Sequence, residues 1–126
     1  MKVKDLMRQA FVIDKDVPLE DAAEIMSDKE VGCLIYIQNG EVAGIVTERD
    51  LLRNFDSKKK VSQVMSRDVV TTGPDNRAEE ALDLMRDNKI KRLPVIDKDG
   101  KLLGIVTLTD LATHFEEIGE DFFFDD

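Results

Sequence analysis

The sequence predicts a mixed α/β protein made of two β-α-β-β-α units that share a core. Three features carry this. The chain repeats itself with a period of about 60 residues, each copy holds one amphipathic helix signal, and each has an Asn-Gly or Asp-Gly pair between apolar runs. Val3-Lys4-Asp5-Leu6-Met7 superposes on Val61-Ser62-Gln63-Val64-Met65, and Leu19, Ala22, Ala23 and Met26 fall on Ala78, Ala81, Leu82 and Met85. Gly40 to Phe55 falls on Gly100 to Phe115 with eight of sixteen positions identical. Two copies are too few for a solenoid, so duplication of one small unit is the simpler reading.

Taken in order, each copy opens on a short helical segment, Val3 to Met7 or its counterpart at Val61. A brief extended run follows, Phe11-Val12-Ile13 in the first copy and Val69-Val70-Thr71 in the second. Apolar residues at i, i+3, i+4 and i+7 then mark the amphipathic helix, with Asp75 and Asn76 as start signals in the second copy. Two strands flank a turn, Cys33 to Ile37 and Val42 to Val46 around Asn39-Gly40, and Leu93 to Ile96 and Leu102 to Val106 around Asp99-Gly100. Both turn pairs tolerate positive φ, a hairpin signal. A last helix begins near Asp50 or Asp110. The polar junction Asp56-Ser57-Lys58-Lys59-Lys60 places the domains at 1–58 and 59–115, with a tail at 116–126. A unit of this size buries only about 60% of its unfolded surface, so the two are expected to lean on each other.

Composition narrows the function. With 42% apolar and 36% charged residues the chain can build a packed core. No run approaches the roughly 20 apolar residues of a membrane span, and the N-terminus is charged throughout. A soluble cytoplasmic protein without signal peptide or membrane partner is therefore expected. The net charge is -9, but six acids lie after Phe115, leaving 21 acids against 18 bases before it. Such a surface repels a phosphate backbone, which argues against nucleic acid as a partner.

Catalytic constellations are missing from the sequence. One cysteine, Cys33, and one histidine, His114, are too few for a structural metal site, and no phosphate loop or nucleophile elbow is present. Cys33 reads as a small buried hydrophobe and His114 as a surface or interface residue. The paired methionines Met7/Met65 and Met26/Met85 read as core filler. No enzyme, no metal and no cofactor are expected.

The informative block is Gly44-Ile45-Val46-Thr47-Glu48-Arg49-Asp50 with its twin Gly104-Ile105-Val106-Thr107-Leu108-Thr109-Asp110. Each runs from a strand into a helix and permits two readings. Thr-x-x-Asp resembles a capping box, although that motif ordinarily uses the longer Glu or Gln. Alternatively the carboxylate points off the corner and accepts both hydroxyls of a cis-diol, each charge-assisted bond contributing about 1.5 to 3 kcal/mol, with the helix N-terminus favouring a phosphate.

Together with Ile90-Lys91-Arg92-Leu93-Pro94-Val95, these blocks make residues 3 to 115 resemble a tandem pair of cystathionine-β-synthase (CBS) domains, a Bateman module, here as a stand-alone protein. The resemblance implies pseudo-two-fold packing of the units and clefts between them that bind AMP, ADP, ATP, S-adenosylmethionine or NAD, as ligands rather than cofactors. It also implies a homodimer, and signalling to a protein partner. It assigns two unequal sites. In one, Asp110 holds the ribose, Thr107 helps at the cap, Thr109 offers a hydroxyl, Lys91 and Arg92 meet phosphate, and Val17, Ala22 and Gly32 flank the adenine. In the other, Asp50 and Thr47 hold ribose, Arg49 meets phosphate, and Asn76, Ala81 and Ile90 line the base pocket. Gly32 and Cys33 stand where the first site has Lys91 and Arg92, so the Asp110 site is expected to be the stronger. Plainer readings stay open: a solvated turn for Lys91 and Arg92, close helix packing for Ala22 and Ala81. A scaffold with vestigial clefts is the alternative function, and the tail with Phe122-Phe123-Phe124 either docks or frays.

Overall fold

Helix-spaced apolar residues give helices, and the apolar runs around the two turns give hairpins. The computed structural model describes residues 1–115; the expected tail lies outside the described residues. In chain order the elements are α1 (Val3–Leu6), β1 (Val12–Ile13), α2 (Leu19–Lys29), β2 (Cys33–Gln38), β3 (Glu41–Thr47), α3 (Glu48–Arg53), α4 (Val61–Val64), α5 (Ala78–Asn88), β4 (Arg92–Ile96), β5 (Leu102–Thr107) and α6 (Leu108–His114).

These elements fall into two compact units, and the partition differs from the sequence repeat. The first unit is Ala10–Val69; the second is Met1–Gln9 together with the chain from Val70 onward. Each unit thus holds the body of one repeat and the opening segment of the other.

In the first unit, β1 runs parallel to β2 and β2 antiparallel to β3. Ile13, Leu19, Ala22, Met26, Leu34, Tyr36, Val46, Val61 and Met65 form its core. In the second unit β4 and β5 pair antiparallel, and Val3, Ala78, Ala81, Leu82, Met85, Leu93, Val95, Val106, Leu108 and Leu111 are buried. The strand expected at Val69 to Thr71 is reduced there to one parallel bridge, Thr72 to Val95. Thr72 is buried and occupied on all sides: its N–H donates to Pro94 O (3.0 Å), its O accepts from Ile96 N (3.0 Å), and its hydroxyl accepts from Asn76 Nδ2 (3.0 Å).

The turns are not twins. Asn39 and Gly40 both adopt positive φ (55° and 79°), the primed-turn geometry expected. In the second hairpin only Gly100 does (83°). Asp97 holds that turn instead, its Oδ1 accepting from the N–H of Asp99 (2.8 Å) and of Lys101 (2.9 Å).

The start of α5 also differs from expectation. Arg77, not Asp75 or Asn76, is the N-cap, and its N–H donates to Glu80 Oε1 (3.3 Å). Asn76 is occupied elsewhere, its side chain by Thr72 and its carbonyl by Val3 N (2.9 Å), and Asp75 pairs with Lys4 (3.2 Å). Asn76 has a counterpart in Val17, whose carbonyl accepts from Val61 N (2.9 Å). Each opening helix is thereby tied through its first N–H to the loop before an amphipathic helix.

A carboxylate adds a second tie at the same place in each unit. Asp16 accepts from Ser62 N (2.8 Å) and Ser62 Oγ (2.6 Å), as Asp75 accepts from Lys4. The two Ser62 donors hold the Asp16 carboxyl below its ordinary value. Because the folded-state pKa is depressed, the stabilisation is present above about pH 4 and fades as pH falls further. Asp16→Ala is therefore expected to lower stability by about 1 kcal/mol at pH 7, and the difference from wild type shrinks at pH 2.5 in urea titrations.

The opening segments also explain the glycine that heads each Gly-x-x-Thr-x-x-Asp block. A Cβ on Gly104 would lie 2.7 Å from the carbonyl oxygen of Arg8, and one on Gly44 would strike the Met65 thioether. Backbone cannot yield as a flexible methionine can. Gly104→Ala is expected to destabilise by about 1 to 3 kcal/mol and Gly44→Ala by less, an order that the urea midpoints of the two variants check.

Candidate functional site

Each unit carries the Thr-x-x-Asp block where its last strand turns into its last helix, and in both the capping box forms. Thr47 N donates to Asp50 Oδ2 (2.9 Å), and Asp50 N donates back to Thr47 Oγ1 (3.4 Å). In the second unit Thr107 N donates to Asp110 Oδ2 (3.1 Å) and Asp110 N to Thr107 Oγ1 (3.2 Å). Each threonine hydroxyl also donates to the same Oδ2, at 3.2 Å for Thr47 and 2.8 Å for Thr107. Of the two readings, the cap is therefore realised at both corners, with the shorter aspartate reaching it. Both threonines leave a strand in extended conformation (φ −119°, ψ 167° and φ −113°, ψ 161°), and their N–H and hydroxyl converge on one carboxylate oxygen.

The cap uses only Oδ2. What happens to Oδ1 separates the two corners. At Asp50, Oδ1 makes no hydrogen bond with the described residues. At Asp110, Oδ1 accepts from the Arg8 guanidinium, and the side chain is only 8% exposed.

Arg8 was not singled out from the sequence. Its backbone is held in a two-residue antiparallel bridge with Ile105, Arg8 N to Ile105 O and Ile105 N to Arg8 O both at 2.9 Å. Ser66 makes the same bridge with Ile45 (2.9 and 3.0 Å), and Ile45 precedes Asp50 by as many residues as Ile105 precedes Asp110. The repeat alignment places Arg8 on Ser66, but only the exchange of opening segments brings Arg8 to Asp110. The next basic residue after Ser66, Arg67, turns away to donate to Ser62 O (2.9 Å).

Several expected site residues gather around each corner. Lys91 O accepts from Leu108 N (2.9 Å) at the first turn of α6, and Arg92 lies opposite Thr107 in the β4–β5 ladder. Gly32 O and Cys33 take the same places beside Glu48 and Thr47. Arg49 and Thr109 are exposed on the first turns of α3 and α6. Those helices have only six and seven residues, and an aspartate already sits in the first turn of each, so the dipole support expected for a phosphate is small. Ala22 and Ala81 are fully buried in the cores of their units. Val17 and Ile90 pack against those cores. Cys33 is buried and His114 exposed.

Asn76 lies at the far end of β4, away from Thr107. There it borders an open crevice of about 630 Å³ with Thr72, Asp75, Asp97, Lys98 and Asp99. Three carboxylates on its rim oppose an anionic guest. Among the described residues no cluster of His, Cys, Asp and Glu could hold a metal ion, and no helix is long and apolar enough to cross a membrane.

The CBS domain is matched twice along the chain, at residues 3–57 and 61–117. Inosine-5'-monophosphate dehydrogenase of Thermoplasma acidophilum is 34% identical over 109 residues, which cover 86% of this chain and 22% of that enzyme. The chain spans between a fifth and a quarter of the first dehydrogenases it matches. Among solved structures, the CBS domain pair of protein MJ0100 in complex with 5′-methylthioadenosine and S-adenosyl-L-methionine superposes with a TM-score of 0.86 at 25% identity, over 92% of this chain and 96% of that one. CBSX2 in complex with AMP gives 0.82 at 27% identity, over 93% and 97%. Two matches in tandem, two units each closed by the same strand-to-helix corner, and likeness to solved pairs along nearly the whole length place this chain in the CBS-domain family, as a tandem CBS pair.

Proposed function

We propose that this chain is a non-catalytic regulatory module that binds adenine nucleotides or related adenosyl compounds. The supporting observation is the division of labour within each corner aspartate: Oδ2 serves the cap and Oδ1 does not. The cap fixes the carboxylate in place, so its second oxygen is preorganised to accept a ribose hydroxyl. Lys91 and Arg92 stand at the Asp110 corner and Arg49 at the Asp50 corner as phosphate contacts. AMP in CBSX2 and the two adenosyl compounds in the MJ0100 pair support the ligand class.

The dehydrogenase relatives do not make this chain an enzyme, since the match covers so little of them. Ligand acts by favouring one packing of a homodimer or of a cytoplasmic protein partner, and can do so only through unequal affinity for the two packings. Leu52 (75% exposed) and Phe55 (83% exposed), at and just past the end of α3, supply an apolar surface for such packing.

Calorimetry with AMP, ADP, ATP and S-adenosylmethionine tests the reading. At least one ligand is expected to bind wild type with a Kd of about 1 μM, or -8 kcal/mol. Asp50→Ala and Asp110→Ala should each remove one site. Asp50→Asn and Asp110→Asn, which keep an oxygen for the cap, should weaken the same sites about tenfold while leaving the melting temperature near wild type. No binding by wild type, or binding indifferent to all four substitutions, would overturn it in favour of a scaffold with vestigial clefts.

A further inference from the structure

We infer that Arg8 makes the Asp110 corner selective for phosphorylated ligands, by exchanging its partner from Asp110 to the phosphate when ligand binds. The inference rests on the proposed ribose grip. Asp110 Oδ2 is consumed by Thr107, and Oδ1 is covered by the Arg8 guanidinium. With the Asp110 side chain only 8% exposed, a diol that needs Oδ1 competes with Arg8 for that oxygen.

Displacement is a side-chain event. The Arg8 backbone is pinned to Ile105 at both N–H and O, whereas its side chain is 68% exposed and makes no hydrogen bond with the described residues other than that to Asp110. The guanidinium can swing out without unfolding anything. An arginine side chain is comparable in length with the ribose that separates a nucleotide's diol from its 5′-phosphate, so the released group finds that phosphate within reach. A guanidinium suits a phosphate as well as a carboxylate, through the same paired N–H groups.

The consequence depends on the ligand. A nucleoside monophosphate returns to Arg8 an anion for the one it takes away. An unphosphorylated nucleoside returns nothing, and the broken ion pair counts fully against it. At Asp50 the equivalent residue is Ser66, which carries no guanidinium, and no described residue donates to Oδ1 there. That corner should bind the bare nucleoside without this penalty, so the asymmetry arises from residue 8 against residue 66 as well as from Lys91 and Arg92.

The test is calorimetry with AMP and adenosine on the full chain carrying Asp50→Ala, which leaves the Asp110 corner as the reporter. Adding Arg8→Gln is expected to weaken AMP and to tighten adenosine, moving their affinity ratio by about tenfold or more. A merely structural ion pair would shift both ligands in the same direction, and that parallel shift, or no shift, overturns the inference. The converse variant, Ser66→Arg in an Asp110→Ala background, is expected to weaken adenosine at the Asp50 corner relative to AMP, and unchanged selectivity there counts against the inference too. If neither ligand binds either single-corner protein while the fold is intact, the ribose grip itself has failed. That result is distinct from a failed exchange.

Discussion

The close approach of each opening segment to a glycine is the constraint on which both units depend. Arg8 and Ser66 lie antiparallel against Ile105 and Ile45, and the Arg8 carbonyl presses on Gly104, as the Met65 side chain does on Gly44, so tightly that a Cβ would collide. This contact buries Val3 and Val61 completely, which gives each core a residue its own repeat body lacks. It also runs beside the strand that ends at Thr107 or Thr47. The glycine that starts the block and the aspartate that ends it therefore belong to one arrangement: the first admits the neighbouring backbone and the second caps the helix that follows.

Much of this was legible in the sequence. The apolar spacing of Leu19, Ala22, Ala23 and Met26, and of Ala78, Ala81, Leu82 and Met85, gave the two helices because that spacing places the buried residues on one face, with Ala23 alone of the eight left exposed. The hairpins followed from Asn39-Gly40 and Asp99-Gly100, although the second turn is built by Asp97, whose side chain substitutes for a backbone turn. Helix ends were harder to read. Both α2 and α5 stop on a non-glycine residue in the left-handed region, Glu30 and Lys89 (φ 55° each), where glycine is the usual signal. The left-handed residue lets the following N–H bond back into the helix, Val31 N to Met26 O and Ile90 N to Met85 O (3.0 Å each), so both ends close without a glycine.

The exchange of opening segments was invisible for a different reason. Duplication makes the two possible pairings chemically alike: Val3 and Val61, or Met7 and Met65, fill the same kind of space wherever they dock. Periodicity reports that a segment is buried and says nothing about which copy buries it. The aspartate corner was half legible. Thr-x-x-Asp offered a cap and a ligand grip as rivals, and the structure makes the cap and leaves one carboxylate oxygen outside it. Arg8 stayed hidden because its relation to Asp110 is created by the exchange, across 102 residues of sequence.

Two corners with one backbone geometry can diverge through a single neighbouring side chain. The cap constrains Thr and Asp in both units for reasons of stability alone, so those residues would persist even in a unit that bound nothing. The residue that follows the opening methionine has no such duty. It needs only a backbone that bridges to the strand, and Arg8 and Ser66 meet that need equally. Its side chain is left free to set how much charge the corner presents: a carboxylate beside Ser66 at Asp50, one neutralised by Arg8 at Asp110. A duplicated fold can thus keep its folding chemistry fixed in both halves and change the chemistry of each corner independently.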